Sequence, residues 1–288
     1  MHHLSIDLET YSSVPLAKAG AQKYIQSPDF EILLFAFSLD GAPVEIIDLA
    51  RGERLPPWLV QAITSPEYIK HAYNAPFEWG CLSKYLGTLP PSQWRCTMFH
   101  GLYCGYTAGL DATGKALGLP QDKQKLNTGK ALIRYFCIPC KPTKANGQRT
   151  RNLPQHDPAK WELFKEYCKQ DVVTEMEIER RLSAFMPPDW VQKQWETDLI
   201  INARGVAVDL ELVTGALYLG DTVRQTLMAE LALQAAFGEA TAFYNDLYRA
   251  GLLGDDFGCS ADYCGPVAMA VLGGESKDPD AVCARVSE

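Results

Sequence analysis

The sequence predicts an α/β domain with a mixed sheet, followed by a mostly helical C-terminal extension, and three observations point there. First, the apolar run over residues 29–39 ends at Asp40-Gly41, and a shorter run over 44–48 follows, the signature of a hairpin. Second, strand-length and helix-length patterns then alternate, which implies parallel pairing beside the hairpin. Third, beyond Pro187-Pro188 the apolar spacing is that of helices. With 288 residues, 47% hydrophobic and 22% charged, the chain has enough apolar material for one large domain plus a remainder.

Taken in order, residues 4–8 form a first strand and 29–39 a second, buried one. Residues 44–48 return as a third strand. Pro56-Pro57 opens a short helix to Thr64, since proline at an initial position loses no hydrogen bond. Residues 68–73 read as a fourth strand. Asn74-Ala75-Pro76 then starts a helix over 77–85. Helices follow over 98–104, 110–117 and 127–136, and a polar loop over 141–157 precedes a long helical pattern over 158–185. Pro187-Pro188 ends that pattern, so domains are expected over 1–187 and 188–288. Past it, 190–204 reads as a helix stopped by Gly205, and 215–237 is helical again. Residues 254–288 carry seven acids and two bases and show no clear period, so little order is expected there.

The first strand carries Asp7 and Glu9 two residues apart, so both carboxylates share one face of the sheet. Like charges side by side in a buried strand are costly unless a cation lies between them. Glu78 stands in the first turn of a helix, where the dipole alone would favour an acid. Tyr167 and Asp171 are four apart on the long helix and so stack on one face, an arrangement also common on ordinary surfaces.

Singly, each of these features has an ordinary structural explanation. Their order is more specific: Asp7-x-Glu9 on the first strand, Asn74-x-x-Phe77-Glu78 at a helix start, Tyr167-x-x-x-Asp171 on a late helix. In that combination residues 4–186 resemble the DEDD (DnaQ-like) 3′–5′ exonucleases of the tyrosine subclass. They are most similar to the proofreading domain of phage-type family A (DNA polymerase I-like) DNA polymerases. Supporting stretches are Asp7-Leu8-Glu9-Thr10-Tyr11-Ser12, Trp94-Arg95-Cys96-Thr97-Met98, Gly129-Lys130-Ala131-Leu132-Ile133 and Arg151-Asn152-Leu153-Pro154. Glu78 replaces the Asp of the cellular enzymes.

The resemblance implies a ribonuclease H-like mixed five-stranded sheet flanked by helices. It implies in-line phosphodiester hydrolysis with two divalent cations, Mg²⁺ or Mn²⁺, about 4 Å apart. Asp7, Glu9 and Asp171 are then the expected direct ligands, Glu78 a ligand directly or through water, and Tyr167 the group that orients the attacking water. The 3′ end of single-stranded DNA would lie along the backbone of Leu8, Glu9 and Thr10, with Asn74 and Phe77 at the terminal nucleotide. Core packing is an equal alternative for Phe77. Residues 195–209 resemble the segment joining exonuclease to polymerase, but no fingers helix of the Lys-x₆-Tyr-Gly type follows. Residues 188–288 are therefore expected to be a truncated polymerase start without synthetic activity, and a separate polymerase or replication subunit is an expected partner.

Charge supports a nucleic-acid partner only locally. The formal net charge is −8, but residues 130–165 hold eight Lys/Arg against two acids, and the basic loop contributes Lys141, Lys144, Arg149 and Arg151 as candidate backbone contacts. A solvated loop is the alternative. No apolar run of membrane-spanning length or secretory leader stands out, and nine cysteines without framework spacing suit reduced thiols, so a phage or bacterial host cytosol is expected.

Two decoys fall away. Gly109–Lys115 mimics a P-loop but has Ala116 where a hydroxyl must meet Mg²⁺, and Cys137-x-x-Cys140 has no second pair at zinc spacing. RNA 3′-trimming and a non-catalytic nucleic-acid-binding module remain as alternative functions. The second is disfavoured by the presence of all four acids and Tyr167.

Overall fold

The computed structural model describes residues 1–124, 129–264 and 267–287, so the expected helix start at Asn127 lies outside the described residues. The chain divides into two units, Met1–Gly205 and Val206–Glu288. Among the described residues no helix is long and apolar enough to cross a membrane.

The first unit is built on β1 (His2–Tyr11), β2 (Glu31–Leu39), β3 (Glu45–Asp48), β4 (Tyr68–Ala72) and β5 (Trp94–Cys96), in the order β3-β2-β1-β4-β5. β1, β2 and β3 pair antiparallel, whereas β4 and β5 run parallel to β1, which is the ribonuclease H-like arrangement. The β2 hairpin turns where expected. Asp40 (φ 52°) and Gly41 (φ 77°) both take left-handed backbone, and Ala42 N donates to Leu39 O at 2.9 Å. β1 and β2 lose register by one residue between Glu9 and Thr10. Glu9 pairs Leu34 but Thr10 pairs Ile32, so Leu33 is an extra residue, a bulge beside the two acids.

Strand alternation separates two cores. Leu4, Ile6, Leu8, Phe35 and Phe37 face α1 (Leu16–Gln26), α2 (Pro57–Thr64), α3 (Ala75–Leu86) and α8 (Asp189–Arg204) through Tyr24, Ile63, Trp79 and Trp195. On the other face, Tyr11, Leu34 and Ala36 pack under α6 (Gly129–Phe136) and α7 (Pro158–Leu182) with Phe136, Trp161 and Phe164. Between these, α4 (Thr97–Tyr103) and α5 (Leu110–Ala116) pack on α7, and no phosphate loop forms at Gly109–Lys115. Trp161 Nε1 donates to the buried Asp48 Oδ2 at 2.7 Å and pins the start of α7 to β3.

Four expectations need correction. Helix α1 was not anticipated, because Gly20 at φ 79° interrupts its pattern. No strand is expected over 94–96, yet Trp94 and Cys96 bury on either side of Arg95 as a short edge strand. The break at Pro187-Pro188 does not end the first unit. Val191, Trp195 and Leu199, spaced four apart, bury one stripe of α8 there, so the unit runs on to Gly205. The last stretch is also more regular than expected and less purely helical.

The second unit comprises α9 (Leu210–Phe237), α10 (Ala242–Arg249), an antiparallel pair of β6 (Gly258–Cys264) and β7 (Val267–Gly273), and α11 (Pro279–Val286). The small and β-branched run before Gly273-Gly274 gives β7 its strand, and Asp278 caps α11 by accepting from Ala281 N. Its core is small: Tyr244, Leu247, Leu253 and Val282.

Candidate active site

β1 presents Asp7 and Glu9 to the face covered by α7, and one turn of α7 answers them with Tyr167, Cys168 and Asp171. The long helix is amphipathic with a buried stripe at Trp161, Phe164, Tyr167, Cys168, Asp171, Val172, Glu175, Ile178 and Leu182. Acids stand in that stripe where apolar residues would suffice for packing. Glu9 and Asp171 are buried and Asp7 is half-buried.

Aromatic stacking holds the tyrosine. The Phe164 and Tyr167 rings lie 6.2 Å apart at 12°, and Phe136 stacks on Phe164 at 5.5 Å and 19°. The backbone of α6 closes against the same ring: a Cβ on Gly129 would come within 2.0 Å of Tyr167 Cε2. Burial, then the charges of Asp171, Glu9 and Asp7, push the phenol far above its ordinary pKa, and its hydroxyl is hydrogen-bonded to Asp171. The Tyr167 phenol thus favours its neutral O–H form, a hydrogen-bond donor beside the acids.

Two thiols touch the acids. Cys168 Sγ donates to Asp7 Oδ2 at 3.4 Å, and Cys137 Sγ lies 3.8 Å from Glu9 Oε2. One donor atom each from Asp7, Glu9 and Cys168 lie within 4.8 Å of one another. Cys140 Sγ instead donates to Arg149 O at 3.4 Å, so Cys137 and Cys140 serve two separate neighbours.

Glu78 enters from the first turn of α3, set by Pro76 behind Asn74. Its carboxyl is held well above the ordinary value by burial, then by the charge of Asp7, then by Glu175. Among the described residues Glu78 Oε2 has no hydrogen-bond partner. A buried carboxylate in that state costs several kcal/mol, roughly, unless a proton or a cation neutralises it. Asp7 and Glu9, which bring donor atoms within 4.8 Å of each other, form a carboxylate pair that suits a hard divalent cation.

Sequence reasoning missed Glu175. It accepts from Thr97 Oγ1 and is hydrogen-bonded to Ser5, and its carboxyl is raised to about 7 by burial first and by Glu179 among the charges. The available signal was its place four residues after Asp171 on a stripe otherwise apolar. Gly129, Cys137 and Cys168 were missed as neighbours of the site as well.

The expected substrate contacts fare differently. The Leu8 side chain packs in the core on the face opposite Asp7 and Glu9. Thr10 Oγ1 is hydrogen-bonded to Tyr24 Oη at 2.9 Å. Asn74 is exposed, and Phe77 is half-buried with its ring 6.1 Å from Tyr24. In the basic loop Lys141 and Lys144 are exposed, and Lys141 lines a cavity of 770 Å³ with Lys130, Arg134 and Tyr135. Arg149 is spent locally, donating to Asn152 Oδ1 at 2.8 Å and to Asn146 O at 3.2 Å. Arg151 lies 3.7 Å above the Tyr11 ring and pairs with Glu31 at 2.5 Å.

No family model matches the chain. It is 53% identical over 231 residues to the DNA polymerase of Bacillus phage SP02, a match spanning 80% of this chain but 35% of that polymerase. Among solved structures, the apo form of a nuclease aligns with TM-score 0.42 and 17% identity over 69% of this chain and 79% of its own. Brucella melitensis NrnC aligns with TM-score 0.42 and 19% identity, and with Mg²⁺ bound with TM-score 0.39 and 18% identity, each over 68% of this chain and 79% of that chain.

Proposed function

We propose that the first unit is a metal-dependent 3′–5′ exonuclease of the tyrosine DEDD type, acting on single-stranded DNA ends and releasing nucleoside monophosphates. The observation that carries this reading is the meeting of Asp7 and Glu9 on β1 with Tyr167 and Asp171 on α7, beside Glu78 with its orphaned Oε2. Asp7, Glu9 and Asp171 would hold divalent cations, with Glu78 completing the set. Bound there, such cations supply a water nucleophile at neutral pH and charge neutralisation at the leaving oxygen.

The remaining roles belong to the chain itself. Tyr167 keeps its proton, and its hydroxyl orients a water for in-line attack. The backbone beside Glu9 and the exposed Asn74 flank the terminal nucleotide, and Phe77 offers one ring edge beside its packing on Tyr24. Lys130, Arg134 and Lys141 line a basic groove suited to phosphates farther up the strand. The preference for DNA rests on the phage polymerase relative, as does the proposal that a separate polymerase or replication subunit partners this chain in a bacterial host's cytosol.

The test is degradation of a 5′-labelled oligonucleotide in Mg²⁺ or Mn²⁺, with an RNA of the same sequence in parallel. A ladder shrinking from the 3′ end, abolished by EDTA and reduced on the order of 10³-fold by Asp7→Ala, is expected, a larger loss than changes around a metal's outer shell produce. Metal-independent cleavage, or an unchanged rate in Asp7→Ala, would sink the reading. Preferential loss of the RNA would move the substrate assignment.

A further inference from the structure

We propose that Cys168 makes this site a receptor for a thiophilic divalent cation, Zn²⁺ or Cd²⁺, bound between Asp7, Glu9 and the Cys168 sulfur and inhibiting the hard-metal reaction. The inference rests on the nuclease reading only for its functional consequence. Its chemistry rests on the side chains.

Mg²⁺ and Mn²⁺ take oxygen and gain little from a sulfur neighbour, whereas Zn²⁺ and Cd²⁺ bind thiolate strongly. A tetrahedral zinc with Zn–S of about 2.3 Å and Zn–O of about 2.0 Å separates those two ligand atoms by about 3.5 Å. Cys168 Sγ and Asp7 Oδ2 are 3.4 Å apart. The Glu9 donor lies within 4.8 Å of both, so a side-chain adjustment of about 1 Å completes three ligands. Asp7 also acts on a further buried acid: Glu78 is 5% exposed, its Oε2 has no hydrogen-bond partner among the described residues, and Asp7 is the charge that acts on it most.

Cys168 is wholly buried at the base of the site, while Asp7 retains exposure, so an ion enters past Asp7 and meets the sulfur last. On binding, the sulfur donates a lone pair to the ion and its proton leaves to solvent. Before that, the thiol donates a hydrogen bond to Asp7 and helps hold the carboxylate in place. The position therefore has a bland structural use with Mg²⁺ and a ligand's use with a soft ion.

The experiment is X-ray absorption at the cadmium edge on the full reduced chain loaded with one equivalent of Cd²⁺. A titration of the ultraviolet thiolate-to-cadmium band accompanies it, in wild type, Cys168→Ser and Cys283→Ser. A shell containing sulfur among oxygens is expected, with a first-equivalent band kept by Cys283→Ser and lost in Cys168→Ser. Zn²⁺ inhibition of Mg²⁺-driven cleavage should weaken at least about tenfold in Cys168→Ser, the low end of what even outer-shell changes cost. An all-oxygen shell in the wild-type chain overturns the proposal without needing any variant to fold. So does a first-equivalent band that survives in a folded Cys168→Ser. An all-oxygen shell in a chain that degrades DNA with Mg²⁺ removes this inference alone. A sulfur-containing shell in a chain that never cleaves removes the nuclease reading alone.

Discussion

The two longest helices of the molecule behave in opposite ways. α7 has 25 residues, of which ten are buried, while α9 has 28 and buries none. Apolar content does not separate them, since α9 is rich in leucine and exposes Leu210, Leu217, Leu227 and Leu231. What separates them is arrangement: α7 gathers its large residues into one stripe against a sheet, and α9 spreads them around its circumference. A consequence follows for polarity. Among the described residues every buried polar or charged side chain, from Glu9 to Glu175, belongs to the first unit. Burying acids is expensive, and only a unit with surplus apolar packing can bear it.

The comparison can be broken most directly by truncating one large apolar side chain in each helix. Phe164→Ala should cost about 3–5 kcal/mol in the first unit's unfolding transition, whereas Leu217→Ala should stay within about 0.5 kcal/mol, both read by denaturant titration. Equal costs would show that α9 is packed after all. Gly129→Ala comes next. Its Cβ would overlap the Tyr167 ring, so a loss of about 1–3 kcal/mol is expected together with a fall in cleavage rate. Gly215→Ala, at an open position in α9, should raise stability slightly by removing chain entropy.

A pH-dependent effect concerns Lys70, fully buried and donating to Ser65 O, Tyr68 O and Gln93 Oε1. Burial lowers its pKa from 10.5 to about 8. Between those values the unfolded chain holds a proton that the folded chain has released, so the desolvation cost present at lower pH is relieved as pH rises through about 8. Stability of the first unit should climb across that window relative to Lys70→Met. Identical pH profiles for the two proteins would count against the buried charge.

How much of this was readable beforehand depended on whether a local rule sufficed. Asp7 and Glu9 were legible because a strand repeats every two residues, and Tyr167 and Asp171 because a helix brings i and i+4 together. Glu78 was legible from Pro76, which marks a helix start. Glu175 was not, since an acid inside a long helix normally faces water, and only its contacts with Ser5 and Thr97 reveal otherwise. Helix α1 hid behind Gly20, and β5 is three residues long, too short for any period. The break at Pro187-Pro188 stops one helix but says nothing about where the next one packs. Trp195 and Leu199 decide that. Arg149 and Arg151 were placed correctly as a basic loop, but their hydrogen bonds with Asn152 and Glu31 depend on a fold the composition cannot specify.

The extra residue at Leu33 sets a constraint of another kind. Up to Glu9 the strands β1 and β2 count in step, and beyond it they are offset, so that Tyr11 meets Glu31 and Arg151 settles over the Tyr11 ring beside Glu31. The rim of the site is thus keyed to chain length more than to residue identity. Along β2 a swap of one apolar residue for another leaves every neighbour in place, whereas removing one residue exchanges inward and outward sides for all that precede it. Variation in this strand is therefore open to substitution and closed to insertion or deletion.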